Sequence, residues 1–148
     1  MLLDIAIATD PRDIGTCMAL RRAVFIDEQG VAEHEEADGE DDACTHVLAR
    51  LGSIPAGAAR YRTLQDAGRH YAKIQRVCVP EGLRGHGVGA AVIEFIIQQV
   101  REERRTRIIR LGAQTHALAF YRKLGFREYG EQYDDAGIPH RDMELKLR

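Results

Sequence analysis

The stretch from Tyr71 to Arg104 leaves the rest of the chain little freedom. Tyr71 to Val79 reads as a strand, and Pro80 closes it because proline has no N–H to give a sheet ladder. Pro80-Glu81-Gly82-Leu83 and then Arg84-Gly85-His86-Gly87-Val88-Gly89 follow. From Gly87 to about Arg104 the positions Val88, Ala91, Val92, Phe95 and Ile96 keep a helical period. Glycines let the backbone curl and come close to a ligand, so that successive N–H groups point into one concavity. The helix that starts there adds four unpaired N–H groups and the positive end of its dipole. Such a junction binds phosphates without metal, and Arg84 can add a charge-assisted contact. A turn that merely joins strand to helix is the plainer alternative. A strand directly before the glycines and a strongly periodic helix directly after them favour the phosphate reading.

The rest of the chain narrows the ligand. A P-loop needs Gly-x-x-x-x-Gly-Lys-Ser/Thr, and no Lys-Ser or Lys-Thr follows here. A dinucleotide fold places its glycines after the first strand of a parallel unit, whereas this loop follows the fourth expected strand. Before it come an alternating strand from Leu3 to Ile7 and a helix opened by Asp10-Pro11 and stopped at Gly30. A hairpin of His46–Leu51 and Ala56–Thr63 precedes the Tyr71 strand. After the long helix come a strand Ile108–Ala113, a helix from a Thr115 cap to Leu124, and strands Phe126–Tyr133 and Met143–Leu147. Asp135-Ala136-Gly137 turns between the last two. The order β-α-β-β-β-α-β-α-β-β predicts a mixed sheet with helices packed on it, an α/β (α+β) layer fold. Glu33 to Asp42, with seven acidic residues in ten, reads either as a solvated loop or as a lure for a cationic partner.

At 148 residues the chain, 1–148, has the size of one domain, and 45% hydrophobic with 30% charged residues is a globular balance. A formal net charge of -2 argues against a nucleic-acid partner. No apolar run is long enough for a membrane span, and Met1-Leu2-Leu3-Asp4 has no basic region leading into an apolar stretch, so the cytoplasm is the expected compartment. Cys17, Cys44 and Cys78 lack metal spacing; they read as reduced thiols, and no metal is expected.

Two motifs together resemble the GNAT superfamily, the GCN5-related N-acetyltransferases. Arg84-Gly85-His86-Gly87-Val88-Gly89 is similar to that family's Arg/Gln-x-x-Gly-x-Gly/Ala loop, and Ala117-Leu118-Ala119-Phe120-Tyr121-Arg122-Lys123-Leu124-Gly125-Phe126 to its second motif. Val24-Phe25-Ile26-Asp27-Glu28-Gln29, the acidic stretch, His46, Gln114-Thr115-His116 and Gly137-Ile138-Pro139-His140 resemble the ElaA/YjcF-like branch. Gln114 stands where many members of the wider family carry an asparagine that contacts the cofactor.

The resemblance implies a mostly antiparallel sheet with a splayed central strand pair, and acetyl-CoA lying in the splay between Tyr71–Val79 and Ile108–Ala113. Val77, Cys78 and Val79 would line the pantetheine arm through the backbone, as if it were an added strand. A backbone N–H near Val77 would polarise the thioester carbonyl. Arg84, Gly85, His86, Gly87, Val88 and Gly89 would hold the pyrophosphate, with Gln114, His116 and Tyr121 also against the cofactor. Tyr121 is the implied general acid for the leaving thiolate. An acceptor amine with a pKa near about 10.4 is neutral in only about one molecule per thousand at pH 7, so a base is needed. His46 and Glu28 are candidates, beside His140, Glu35 and a water chain. Phe25, Gln29 and His140 would face the acceptor. An acyl-enzyme on Cys78 is the minor alternative to direct transfer. A sensor that binds acetyl-CoA without turnover, and a nucleotide binder using the same loop, are the rival readings. Relatives in this fold are often homodimers, an option open here too.

Overall fold

The structure, a computed structural model, describes residues 2–148. Seven strands form one sheet in the order β1-β2-β3-β4-β5-β7-β6. These are β1 Leu3–Ala8, β2 Thr45–Leu51, β3 Ile54–Asp66, β4 Arg69–Cys78, β5 Ile108–Gln114, β6 Arg127–Asp135 and β7 Ile138–Lys146. Every neighbouring pair is antiparallel except β4 with β5. The expected mixed, mostly antiparallel sheet is therefore present.

Helix α1, Pro11–Arg21, starts where Asp10 accepts a 2.8 Å hydrogen bond from the Asp13 N–H. It continues into a π-helical turn, Arg22–Glu28, and ends before Gly30 at φ +74°. Helix α3, Val88–Glu103, is the long amphipathic one; α2 is Glu33–Glu36 and α4 is Leu118–Lys123. Alternation along β2 sorts the two main helices to opposite faces. Leu48, with Ala58 and Cys78, meets Cys17 and Leu20 of α1 and Val24 of the π-helical turn. Val47 and Ala49, with Ile74, Ile109 and Leu111, meet Val88, Val92, Ile93, Ile96 and Val100 of α3.

Two sequence expectations need correction at the ends of elements. Thr115 does not cap a helix: it opens a 3₁₀ turn, Thr115–Ala117, and α4 then starts without a side-chain cap. Strand β7 begins five residues before Met143, because its pairing with β5 from Gln114↔His140 outweighs the weak strand signal of Pro139-His140-Arg141-Asp142.

The acidic run is not a free loop. Arg21 and Arg60 are buried, at 1% and 0% exposure, and Glu36, Asp38 and Asp41 fold back onto them. Arg21 grips Glu36 with Nε and a terminal nitrogen at 3.0 and 2.9 Å and reaches Asp41 at 2.6 Å. Arg60 bonds Asp38 at 2.5 Å and Asp41 at 2.7 Å. A buried guanidinium without a carboxylate would be very costly, so burial of the arginines dictates the fold of the segment. Five of its seven carboxylates are paired with arginine, counting Glu33 with Arg22 and Glu40 with Arg62. Little charge is left over to draw in a cationic partner.

Candidate active site

Strands β4 and β5 pair at only three positions, Ala72↔Ile109, Lys73↔Arg110 and Ile74↔Leu111. Beyond these, β4 stays with β3 as far as Cys78↔Ala58, and β5 stays with β7 as far as Gln114↔His140. The strands splay, and a cleft of about 830 Å³ opens between them. Val77, Cys78 and Val79 form one wall, and Leu111, Gly112 and Gln114 the other. The π-helical turn brings Val24, Phe25, Glu28 and Gln29 over the cleft, an arrangement that the extra residue in such a turn makes available. Ile138 and His140 close it from β7, and Tyr121 from α4.

At one end of the cleft lies the glycine loop. Gly85 and Gly87 have φ of +82° and +78°, the left-handed region in which an L side chain is strained. Gly87 precedes α3 and gives it no side-chain cap, so the first-turn N–H groups face outward unclaimed by a side chain. Gly89 serves packing: a Cβ there would come 3.3 Å from the Phe120 ring. Val88 is 2% exposed and sits in the core, so only its backbone belongs to the loop. His86 folds back, its Nδ1 3.1 Å from the Leu83 and Arg84 carbonyls, and does not line the cleft. Arg84 donates from Nε to the Val79 carbonyl at 2.9 Å and makes a bidentate pair with Glu28 at 2.7 and 2.6 Å. Hydrogen bonding from Arg84 holds the Glu28 carboxyl below its usual range, which makes Glu28 a poor proton acceptor.

Tyr121 is packed edge-on between Phe120, at 4.9 Å between ring centres, and Phe126, at 5.9 Å. Burial pushes its hydroxyl up to about 12, and no hydrogen bond to it is found among the described residues. The group therefore stays protonated through neutral pH and is free to donate into the cleft. Burial also pushes the Cys78 thiol up to about 12. Its side chain packs against α1, so an acyl-cysteine route has no thiolate to start from.

Gln114 and Gln29 hydrogen-bond across the cleft at 3.0 and 3.4 Å, and His116 Nε2 lies 2.6 Å from Gln114 Oε1. This polar chain ties the end of the π-helical turn to the end of β5. His140 Nδ1 lies 2.7 Å from the Ile138 carbonyl, which can only accept, so Nδ1 carries the proton. Nε2 is then the nitrogen left to take a proton. The ring stacks on Tyr133 at 5.8 Å. His46 is elsewhere: it is buried on β2, its Nε2 2.9 Å from the Asp41 carbonyl, and it does not reach the cleft. Its place beneath the acidic segment is a structural one.

Lys73, Gln75, Arg76, Glu36 and Tyr133 also line the cleft and were not singled out from the sequence. For Tyr133 a signal existed. Gly112 interrupts a strand of apolar residues, and a Cβ there would collide with the Tyr133 hydroxyl, which bonds Asp142 at 2.7 Å.

Residues 9–147 match the profile of the acetyltransferase (GNAT) domain family. YjcF of Bacillus subtilis, named as an uncharacterized N-acetyltransferase, is 34% identical over 138 residues, which cover 93% of this chain and 95% of YjcF. Protein ElaA of Escherichia coli is 32% identical over 132 residues, 88% of this chain and 85% of ElaA. The crystal structure of E. coli ElaA superposes with a TM-score of 0.85 at 26% identity, covering 98% of this chain and all of the other. An acyl-CoA N-acyltransferase from Pseudomonas aeruginosa shares the fold, with a TM-score of 0.83 at 24% identity over 97% and 99% of the two chains. No helix of the described residues is long and apolar enough to cross a membrane. With a family profile spanning almost all of its length, and relatives that share its sequence and its fold, this chain belongs to the GNAT acetyltransferases and is an acyltransferase.

Proposed function

We propose that the chain is an acetyl-CoA-dependent N-acetyltransferase that moves the acetyl group directly to a primary amine of a small molecule or peptide. The observation that carries this reading is the unpaired gap between β4 and β5, with the uncapped start of α3 at one end and a protonated tyrosine in its wall. A narrow amide-carrying arm fits such a gap as an extra strand, through the free backbone of Val77 and Val79. The pyrophosphate belongs at the N–H groups of Gly85 to Gly89. Arg84 would exchange Glu28 for phosphate there, one anion for another.

In the transfer, the amine nitrogen bonds to the thioester carbon and the C–S bond breaks. The Val77 N–H meets the charge that develops on the carbonyl oxygen. Tyr121 gives its proton to the departing sulfur. His140 Nε2, directly or through a water, is our choice to take the proton from the amine. Glu28 is engaged by Arg84, and His46 is outside the cleft. Phe25 and Gln29 would flank the acceptor. We assign the reaction to the cytoplasm, with no nucleic acid or membrane partner.

Calorimetric titration with acetyl-CoA, with ATP as the control ligand, tests the first half. Saturable acetyl-CoA binding without ATP binding supports the reading, and absence of acetyl-CoA binding sinks it. Thiol release on a panel of amines tests the second half. Binding with no turnover on any amine would favour a sensor over an enzyme.

A further inference from the structure

We propose that Arg76 is a positioning residue: the acidic segment 33–42 holds its guanidinium so that the bulge in β4 keeps the Val77 backbone on the cleft. The inference rests on the transfer reading above, because it concerns the group that meets the thioester oxygen.

Ala58 pairs with Cys78 and Arg60 pairs with Gln75. Ala59 on β3 therefore opposes two residues of β4, Arg76 and Val77, and neither enters the ladder. Arg76 has φ +58°. Bulges with a left-handed first residue ordinarily place glycine there, because an L side chain is strained in that region. Such strain persists only where the surroundings over-determine the conformation.

Here the surroundings are the acidic segment. One terminal nitrogen of Arg76 lies 3.1 Å from the Glu36 carbonyl, 3.3 Å from the Glu35 carbonyl and 3.2 Å from the Asp38 carboxylate. Its Nε lies 2.9 Å from the Glu36 carboxylate, an ion contact. Glu36 and Asp38 are in turn fixed by Arg21 and Arg60, which are buried. The order of support runs from two buried arginines, through two carboxylates, to a strained residue, and from it to the wall where transfer takes place.

The test compares Arg76→Ala, Arg76→Gln and Arg76→Gly by crystal structure, acetyl-CoA calorimetry and steady-state kinetics. Alanine and glutamine lack the guanidinium and are strained at positive φ. We expect residue 76 to leave the left-handed region in both, kcat to fall about 100-fold, as for loss of one oxyanion donor, and acetyl-CoA to bind more weakly, because the Val77 backbone also pairs with the pantetheine arm. Glycine adopts the bulge unaided and is expected to recover most of kcat. The glutamine variant keeps the side-chain bulk if alanine fails to fold. Alanine and glutamine variants that retain positive φ would overturn the proposal. So would a glycine variant that keeps the bulge but loses as much kcat as alanine, since the guanidinium itself would then be acting. If the parent protein binds no acetyl-CoA, the transfer reading fails, and φ at residue 76 in the variants still decides whether the acidic segment holds the bulge.

Discussion

Replacement of Tyr121 by phenylalanine separates chemistry from packing in this fold. The ring is buried between Phe120 and Phe126, and the hydroxyl has no partner among the described residues. Removing the oxygen strands no donor or acceptor, so the usual cost of about 1 kcal/mol for a lost hydrogen bond does not arise. Stability should change by no more than about 0.5 kcal/mol. Acetyl-CoA affinity should hold, because the backbone of β4 and the glycine loop carry the binding. The rate should not hold. A thiolate that leaves without its proton donor costs about 100- to 10,000-fold in kcat. The assay is initial-rate thiol release at saturating acetyl-CoA, beside a thermal melt and a calorimetric Kd on the same preparation. An unchanged kcat in a well-folded variant would refute the role of Tyr121. A fall in kcat accompanied by a large loss of stability would refute the claim that the hydroxyl is idle in the folded protein.

Four further outcomes follow from the geometry. Glu28→Gln releases Arg84 from its carboxylate partner, so acetyl-CoA should bind more tightly while kcat is kept; a collapse of kcat would instead restore Glu28 as the base. His140→Gln should lower kcat by about 100-fold or more, whereas His46→Gln should leave the rate per folded molecule intact; kinetics corrected for folded fraction decide between the two histidines. Gly57→Ala places a Cβ 2.9 Å from Val88 Cγ1 and 3.3 Å from the Cys78 carbonyl, where α3 crosses β3. Overpacking there should cost about 1–3 kcal/mol and lower Tm by about 2–4 °C per kcal/mol, read by thermal melt. The hydrogen bond from Arg60 holds Asp38 below the usual carboxylate range. Its stabilising effect is complete above the unfolded value near about 3.9 and is lost as pH falls through the lower folded value. Asp38→Asn should therefore be less stable at neutral pH and lose less stability on acidification, measured by urea titrations across the acid range.

The elements legible in the sequence are those whose signals are local. Asp10-Pro11 and Gly30 bound α1 together with its π-helical continuation, and the period from Val88 to Ile96 marks α3, because caps and amphipathic faces are written within one turn of the residues they control. The glycine loop was legible as a tight turn for the same reason, and two of its glycines take positive φ. The π-helical turn was not, since Val24, Phe25 and Glu28 fit an ordinary helix equally well, and only contact with the sheet selects the wider turn. The early start of β7 was also hidden, because it depends on a partner strand about thirty residues away.

Within the site, the division falls between residue types and residue partners. The sequence offers Glu28, His46 and His140 as candidate bases, and only the family resemblance sets Glu28 and His46 ahead of His140. Rank comes from what each one faces: Arg84 ties up Glu28, the Asp41 carbonyl takes His46 out of the cleft, and the Ile138 carbonyl fixes the tautomer of His140. The acidic segment makes the same point in reverse. Its composition reads as solvated surface because surface is where most such charge belongs. Its partners Arg21, Arg60 and Arg76 lie on three other elements, and each looks like ordinary surface charge in the sequence. Burial of two of those arginines folds a run of negative charge back onto the protein, with Glu35 and Glu36 lining the cleft. A substitution at Asp38 or Glu36 is therefore expected to act on the geometry of β4, and through it on the rate, although neither carboxylate need touch the reacting atoms.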